Sequence, residues 1–179
     1  MLEITVPAAE MFDESTQEFI ESKEQTLQLE HSLVSLSKWE SKWHKAFLSK
    51  REKTFEETID YIRCMTITKN VDPSVYFNLS KENIEAINRY IEDPMTATYI
   101  AEDPSGSIGG DVVTSELIYY WMISLNIPQE YQKWHLNRLL SLIKVCNVKN
   151  MPAKKMSQSE LMRRHSAINE ARRKKAQMD

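Results

Sequence analysis

Four histidines, two cysteines and one glycine-rich loop are the places where this chain could do covalent or metal chemistry. His31, His44, His135 and His165 lack metal-ligand spacing, and none is paired with a cysteine in sequence. A reactive thiol needs a base or a positive field beside it. Cys64 and Cys146 lie inside apolar helical patterns without that context, so both read as small buried hydrophobes. A Cys–His pair assembled in space stays open. Residues 102–111, EDPSGSIGGD, hold all three glycines of the chain. The loop lacks the lysine of a phosphate cradle, and its aspartates would repel phosphate, so an ordinary loop is expected. There is no serine-nucleophile elbow, zinc-peptidase motif or dinucleotide fingerprint. The expectation is a protein that is not an enzyme and uses neither cofactor nor metal.

Non-covalent chemistry is better represented. Trp39 and Trp43 are one helical turn apart, so their rings share a stripe. Core packing is the default for such a stripe, and an exposed ridge for a partner is the alternative. Tyr120, Trp121, Tyr131 and Trp134 fall in the most aromatic stretch, residues 114–150. Charge is polarised although the net is only −3. Residues 1–30 carry eight acids against Lys23, and residues 154–175 carry eight bases against Glu160 and Glu170. Opposed ends suit intramolecular docking, head-to-tail association or two different partners. Arg163, Arg164, Arg172 and Arg173 could contact phosphates in a nonspecific, salt-dependent way. Reading the last two helices as a helix-turn-helix is poor, because Pro152 and Lys154–Lys155 sit where the tight turn belongs.

The elements that must hold these residues are mostly helices. A chain of 179 residues, 41% apolar and 27% charged, is sized for one compact domain with an appendage. Three glycines in the whole chain suit helices better than an all-β fold. The fold class expected is mainly α, with a small N-terminal β element (1–31), a helical core domain (32–150), and a linker with a basic C-terminal helix (151–179). Residues 2–6 and 26–30 alternate as strands that could pair; 13–24 read as an acidic loop around a short strand at Phe19–Ile20. Helices follow over 32–48, then from Thr54, whose capping box with Glu57 precedes Phe55, Ile59, Ile62 and Met65 as inward residues. Residues 70–79 read as loop. Ser80 caps a helix striped by Ile84, Ile87 and Ile91, which Asp93–Pro94 stops. Residues 96–100 read as a short strand. Residues 114–150 read as two helices split at Pro128, with Pro128 in the first turn of the second. The first of them is apolar almost all round, which predicts an element that is central or contacts two neighbours, and the pair is expected to dominate stability. A capping box at Ser157 and Glu160 opens the last helix, which runs to about 176 with little apolar surface. No run is long and apolar enough to cross a membrane, and no basic-then-apolar leader is present, so a reducing, cytoplasmic setting is expected.

Three stretches resemble the tail assembly chaperones of long-tailed, siphovirus-type bacteriophages. They are TSELIYYWMISLNIPQEYQKWHLNRLLSLIKVCNVKN followed by PAKKMSQSELMRRHSAINEARRKK across residues 114–175, LEHSLVSLSKWESKWHKAFL at 29–48, and YIEDPMTAT at 90–98. Together they span a little over half the chain, and aromatic and apolar helix residues carry them. The first thirty residues contribute nothing to the likeness. The resemblance implies an assembly factor of the host cytoplasm, absent from the mature virion. It would bind the tape measure protein, keep it soluble and help the tail tube protein polymerise around it. Partner-binding residues would then be Trp39, Trp43, Tyr120, Trp121, Tyr131 and Trp134, with Arg163, Arg164, Arg172 and Arg173. Self-association stays open. In this family a minus-one ribosomal frameshift often makes a longer product, and Lys154–Lys155 or Lys174–Lys175 could be encoded by a slippery heptamer. Two other readings share the absence of catalytic motifs: a structural tail or head protein, and a nucleic-acid-binding regulator using the basic helix.

Overall fold

The computed structural model describes residues 1–13, 18–98, 112–150 and 158–176. The chain is mainly helical, with a small β element at its N-terminus. It forms two compact units, Met1–Val148 and Lys149–Asp179.

β1 (Leu2–Val6) pairs antiparallel with β4 (Gln25–Leu29), Ile4 opposite Leu27. Alternation does its usual work here: Ile4, Val6, Leu27 and Leu29 are buried while Glu3 and Thr5 face solvent. Pro7 interrupts the ladder, as a residue without an N–H must. The interruption is brief. β2 (Ala9–Asp13) pairs with β3 (Glu18–Ser22), and the register is continuous across the gap, from Val6 opposite Gln25 to Ala9 opposite Ser22. Part of what reads in sequence as an acidic loop is therefore a second strand pair, in register with the first. A register fixed by the buried half propagates outward whatever the charge of the residues that follow.

The hairpin shares its core with the helices. α1 (Leu33–Trp43) begins at Ser32, whose hydroxyl accepts from the Ser35 N–H while the Ser35 hydroxyl accepts from the Ser32 N–H. Leu33, Leu36 and Trp39 are buried along its inner stripe. The helix stops short of residue 48 because His44 adopts a left-handed conformation, φ 52°, with its N–H bonded to the Glu40 carbonyl. The chain then folds back and lays Phe47 against Tyr61 and Trp39, at ring-centroid distances of 3.8 and 5.1 Å.

α2 (Phe55–Met65) carries the expected Thr54–Glu57 capping box and buries Ile59, Ile62 and Met65. Phe55, expected inward, is 68% exposed. That end of the core is filled instead by Phe47, which arrives from the connector. A 3-10 turn follows at Pro73–Phe77, within the stretch read as loop. α3 (Lys81–Glu92) is capped by Ser80 and buries Ile87 and Tyr90, with Ile84 and Ile91 partly covered. Residues 96–98, read as the start of a strand, are not in one. The rest of that segment, the glycine loop at 102–111 and Ser157 lie outside the described residues.

α4 (Ser115–Ser124), capped by Thr114, buries Ser115, Ile118 and Met122 on one side only. Tyr120 and Ile123 are 63% and 76% exposed, so the all-round apolar pattern does not make it a central helix. Pro128 does not open the next helix. It leads a 3-10 turn at Gln129–Lys133, and α5 (Leu136–Asn150) starts later. An isolated backbone bridge between Ser32 and His135, with the Leu136 N–H on the His31 carbonyl at 2.7 Å, holds this segment off the helical path. Nor does the 114–150 pair dominate the core. α1 packs against α2, α4 and the second 3-10 turn, and many of the largest fully buried side chains come from β4 and α1. α6 (Gln158–Ala176) belongs to the second unit, and its described side chains are all exposed.

Candidate partner-binding surface

The aromatic residues singled out in sequence separate into a core member and surface members. Trp39 is 1% exposed, and its indole N–H donates to the Glu57 carbonyl at 2.8 Å, so it is core. Trp43 stacks on it, centroids 6.1 Å apart at 27°, but keeps one edge open. The Trp43 indole N–H donates to Asp60 Oδ2 at 2.8 Å, and the Lys42 and Lys45 ammonium groups lie 5.8 and 5.5 Å from its ring. On α4, Tyr120 is open and Trp121 partly covered. Tyr131 and Trp134 leave the helix read for them and stack face to face at 3.9 Å, with the Arg138 guanidinium 4.2 Å above Trp134. Arg163, Arg164 and Arg173 are exposed on α6, in the other unit; the Arg172 side chain is outside those described.

Around Trp43 lies a groove of about 370 Å³ that sequence reasoning missed. Trp43 and Ile59 line it together with Phe55 and Phe77, two phenyl rings that are 68% and 55% exposed. Folding normally covers rings of this size, so two left open beside one cleft mark a surface that something else can cover. Its polar parts are asymmetric. Asp60 is engaged by the Trp43 indole and by the Lys42 ammonium. Glu56 stands exposed at one end. At the other, the Arg63 guanidinium lies 5.2 and 5.5 Å from the rings of Tyr76 and Phe77. Arg63 Nη2 donates a long bond of 3.4 Å to the Pro73 carbonyl, while the buried Nε has no partner. The sequence signals were faint: an aromatic directly after an N-cap, and another in a segment read as loop.

Two buried carboxylates tie the helices to the connector that follows α1. The Glu57 carboxylate has no exposed surface; it accepts from Lys45 at 2.8 Å, from Arg51, and from the Thr54 N–H at 2.9 Å. The Lys45 hydrogen bond above all, then the Thr54 N–H, outweigh desolvation and, with Arg51, hold its pKa at about 2. Glu40, also buried, joins two loops: Oε1 accepts from the Phe47 N–H at 2.9 Å and Oε2 from the Ser115 N–H at 2.7 Å. The second bond places a carboxylate on the N-terminus of α4, where the helix dipole favours it.

Among the described residues, no group of three or more His, Cys, Asp or Glu side chains is arranged to hold an ion. His31 and His135 are both buried with rings 5.1 Å apart. His31 Nδ1 shares a 2.6 Å hydrogen bond with the Tyr61 hydroxyl. His135 Nε2–H donates to the Tyr90 carbonyl at 2.9 Å, since a carbonyl can only accept. Burial first, and the neighbouring His135 second, push the His31 pKa down to about 3. Burial also pushes the Cys64 thiol up to about 11, the opposite of activation. No protein-family model, curated protein or solved structure matches the chain.

Proposed function

We propose that this protein is a tail assembly chaperone of a long-tailed bacteriophage, which binds the tape measure protein, keeps it soluble and promotes tail tube assembly. The reading starts from the sequence resemblance across residues 29–48, 90–98 and 114–175. The observation that carries it is uncovered aromatic and aliphatic surface on a well-packed helical unit: Phe55 and Phe77 beside Trp43, and Tyr120 with Ile123 on α4. A long helical chain with exposed apolar surface aggregates unless that surface is covered, and binding by helix-in-groove contact covers it reversibly. On this reading the protein works in the host cytoplasm and leaves before the virion is complete, with the tail tube protein as a second partner. No helix among the described residues is long and apolar enough to cross a membrane.

Co-expression with the tape measure protein tests this. Soluble tape measure should rise and co-purify with the chaperone, and absence of both rejects the reading. Mass spectrometry of purified particles separates it from a structural tail or head protein, which would be present in stoichiometric amount. The exposed bases of α6 keep a nucleic-acid reading in view; a gel shift with a steep salt dependence would favour it.

A further inference from the structure

We infer that the groove around Trp43 selects helical partner segments by a charge pattern: a base, aliphatic residues one turn on, and a carboxylate two turns on. This deepens the proposed function, on which it rests for a helical partner. The cleft holds a few side chains and not a whole helix, so one face of a segment must supply the contact. Its apolar floor, Trp43 and Ile59 between Phe55 and Phe77, takes the aliphatic residues. Its charges are spent unequally. Lys42 and Asp60 neutralise each other at the rim. Glu56 has no ion-pair partner among the described residues, and neither has Arg63, whose Nε is a buried donor without an acceptor. These two charges sit seven residues apart on α2, roughly 10 Å along the helix axis. A helix laid along the groove repeats that spacing, so a base on it meets Glu56 while a carboxylate two turns away meets Arg63.

The test uses the full chain and three alanine-based helical peptides. Each carries a leucine pair in the middle, flanked at a seven-residue separation by Lys and Glu, by two Lys, or by two Glu. Labelled-peptide anisotropy gives affinity, and the Trp43 indole resonance, assigned with Trp43→Phe, gives location. The Lys/Glu peptide should shift that resonance and bind at least ~10-fold tighter than the other two, a gap of about 1.4 kcal/mol. Arg63→Glu should invert the order, so that the two-Lys peptide binds better than the Lys/Glu one. Phe55→Ser should weaken all three while leaving thermal unfolding unchanged, because that side chain is already exposed. Equal affinities for the three peptides, or an unmoved Trp43 resonance, overturn the inference. If tape measure is rescued equally by wild type, Phe55→Ser and Arg63→Glu, the groove inference fails and the chaperone reading stands. If the peptides are discriminated but no tape measure is rescued, the converse holds.

Discussion

His31 is neutral in the fold because ionising it would strand a charge beside His135 in a site 2% exposed. Its pKa is about 3 folded against 6.5 for the free side chain. The unfolded chain therefore binds a proton that the folded chain refuses. The stabilisation is complete above pH 6.5 and is lost progressively as pH falls toward 3, at up to about 1.4 kcal/mol per pH unit. Urea denaturation across this window should show that slope, and His31→Gln should remove it between pH 6.5 and 4.5. Glu57 adds a second, lower window. Its carboxyl is depressed from 4.5 to about 2, so its contribution is present above 4.5 and lost below, where the His31→Gln variant should still respond. His44 gives a prediction of the opposite sign. A non-glycine residue in the left-handed region is strained by roughly 1 kcal/mol, so His44→Gly should raise stability by about that amount, read as a higher urea midpoint. Capping residues such as Thr54 and Ser80 are legible in sequence because donor and acceptor are three residues apart. The partners of His31 are not, since Tyr61 is 30 residues away.

The helices also separate what is local from what is not. α1, α2 and α3 follow from three- and four-residue apolar steps, and the β1–β4 pair from alternation, because each pattern needs only its own segment. Two of the failures involve a distant residue claiming a place. Phe47 fills the end of the core and leaves Phe55 outside. His135 bridges to Ser32 and delays α5 by eight residues beyond Pro128. For the same reason the groove was not legible: core and surface aromatics have identical spacing, and only packing shows that Trp39 is enclosed while Trp43 is not. Substitutions should reproduce the division. Trp39→Ala should cost about 3–5 kcal/mol in urea denaturation, whereas Ile123→Ala should stay within about 0.5 kcal/mol. Glu40 is the strut between α1 and α4, bonded to amides 7 and 75 residues away. Glu40→Gln keeps the shape but loses one charged acceptor, and should destabilise by about 1–3 kcal/mol. Hydrogen exchange should quicken first at the Phe47 and Ser115 amides. Uniform quickening along α1 would show that Glu40 supports the core generally and is not the clasp of α4.

Across the whole molecule, charge and packing divide at the same place. Residues 1–148 hold 14 bases and 23 acids, a net of −9; residues 149–179 hold 9 bases and 3 acids, a net of +6. The division of charge is legible in sequence because composition needs no fold. The division of packing emerges only with coordinates: every buried apolar side chain among the described residues lies in Met1–Val148, and the described side chains of α6 are exposed. The two units therefore separate stability from basic charge. A chain ending at Val148 should keep the thermal transition of the full protein to within about 4 °C, because less than ~1 kcal/mol of its stability is expected to come from residues beyond. The same shortened chain should pass unretained through a polyanion column that holds the full chain at low salt, since the exposed arginines of α6 are gone. Calorimetry and salt elution measure the two properties independently. A large fall in the transition temperature would mean that α6 covers part of the first unit. Unchanged retention would move the anion-binding charge off α6, and with it the reason to weigh a nucleic-acid partner at all.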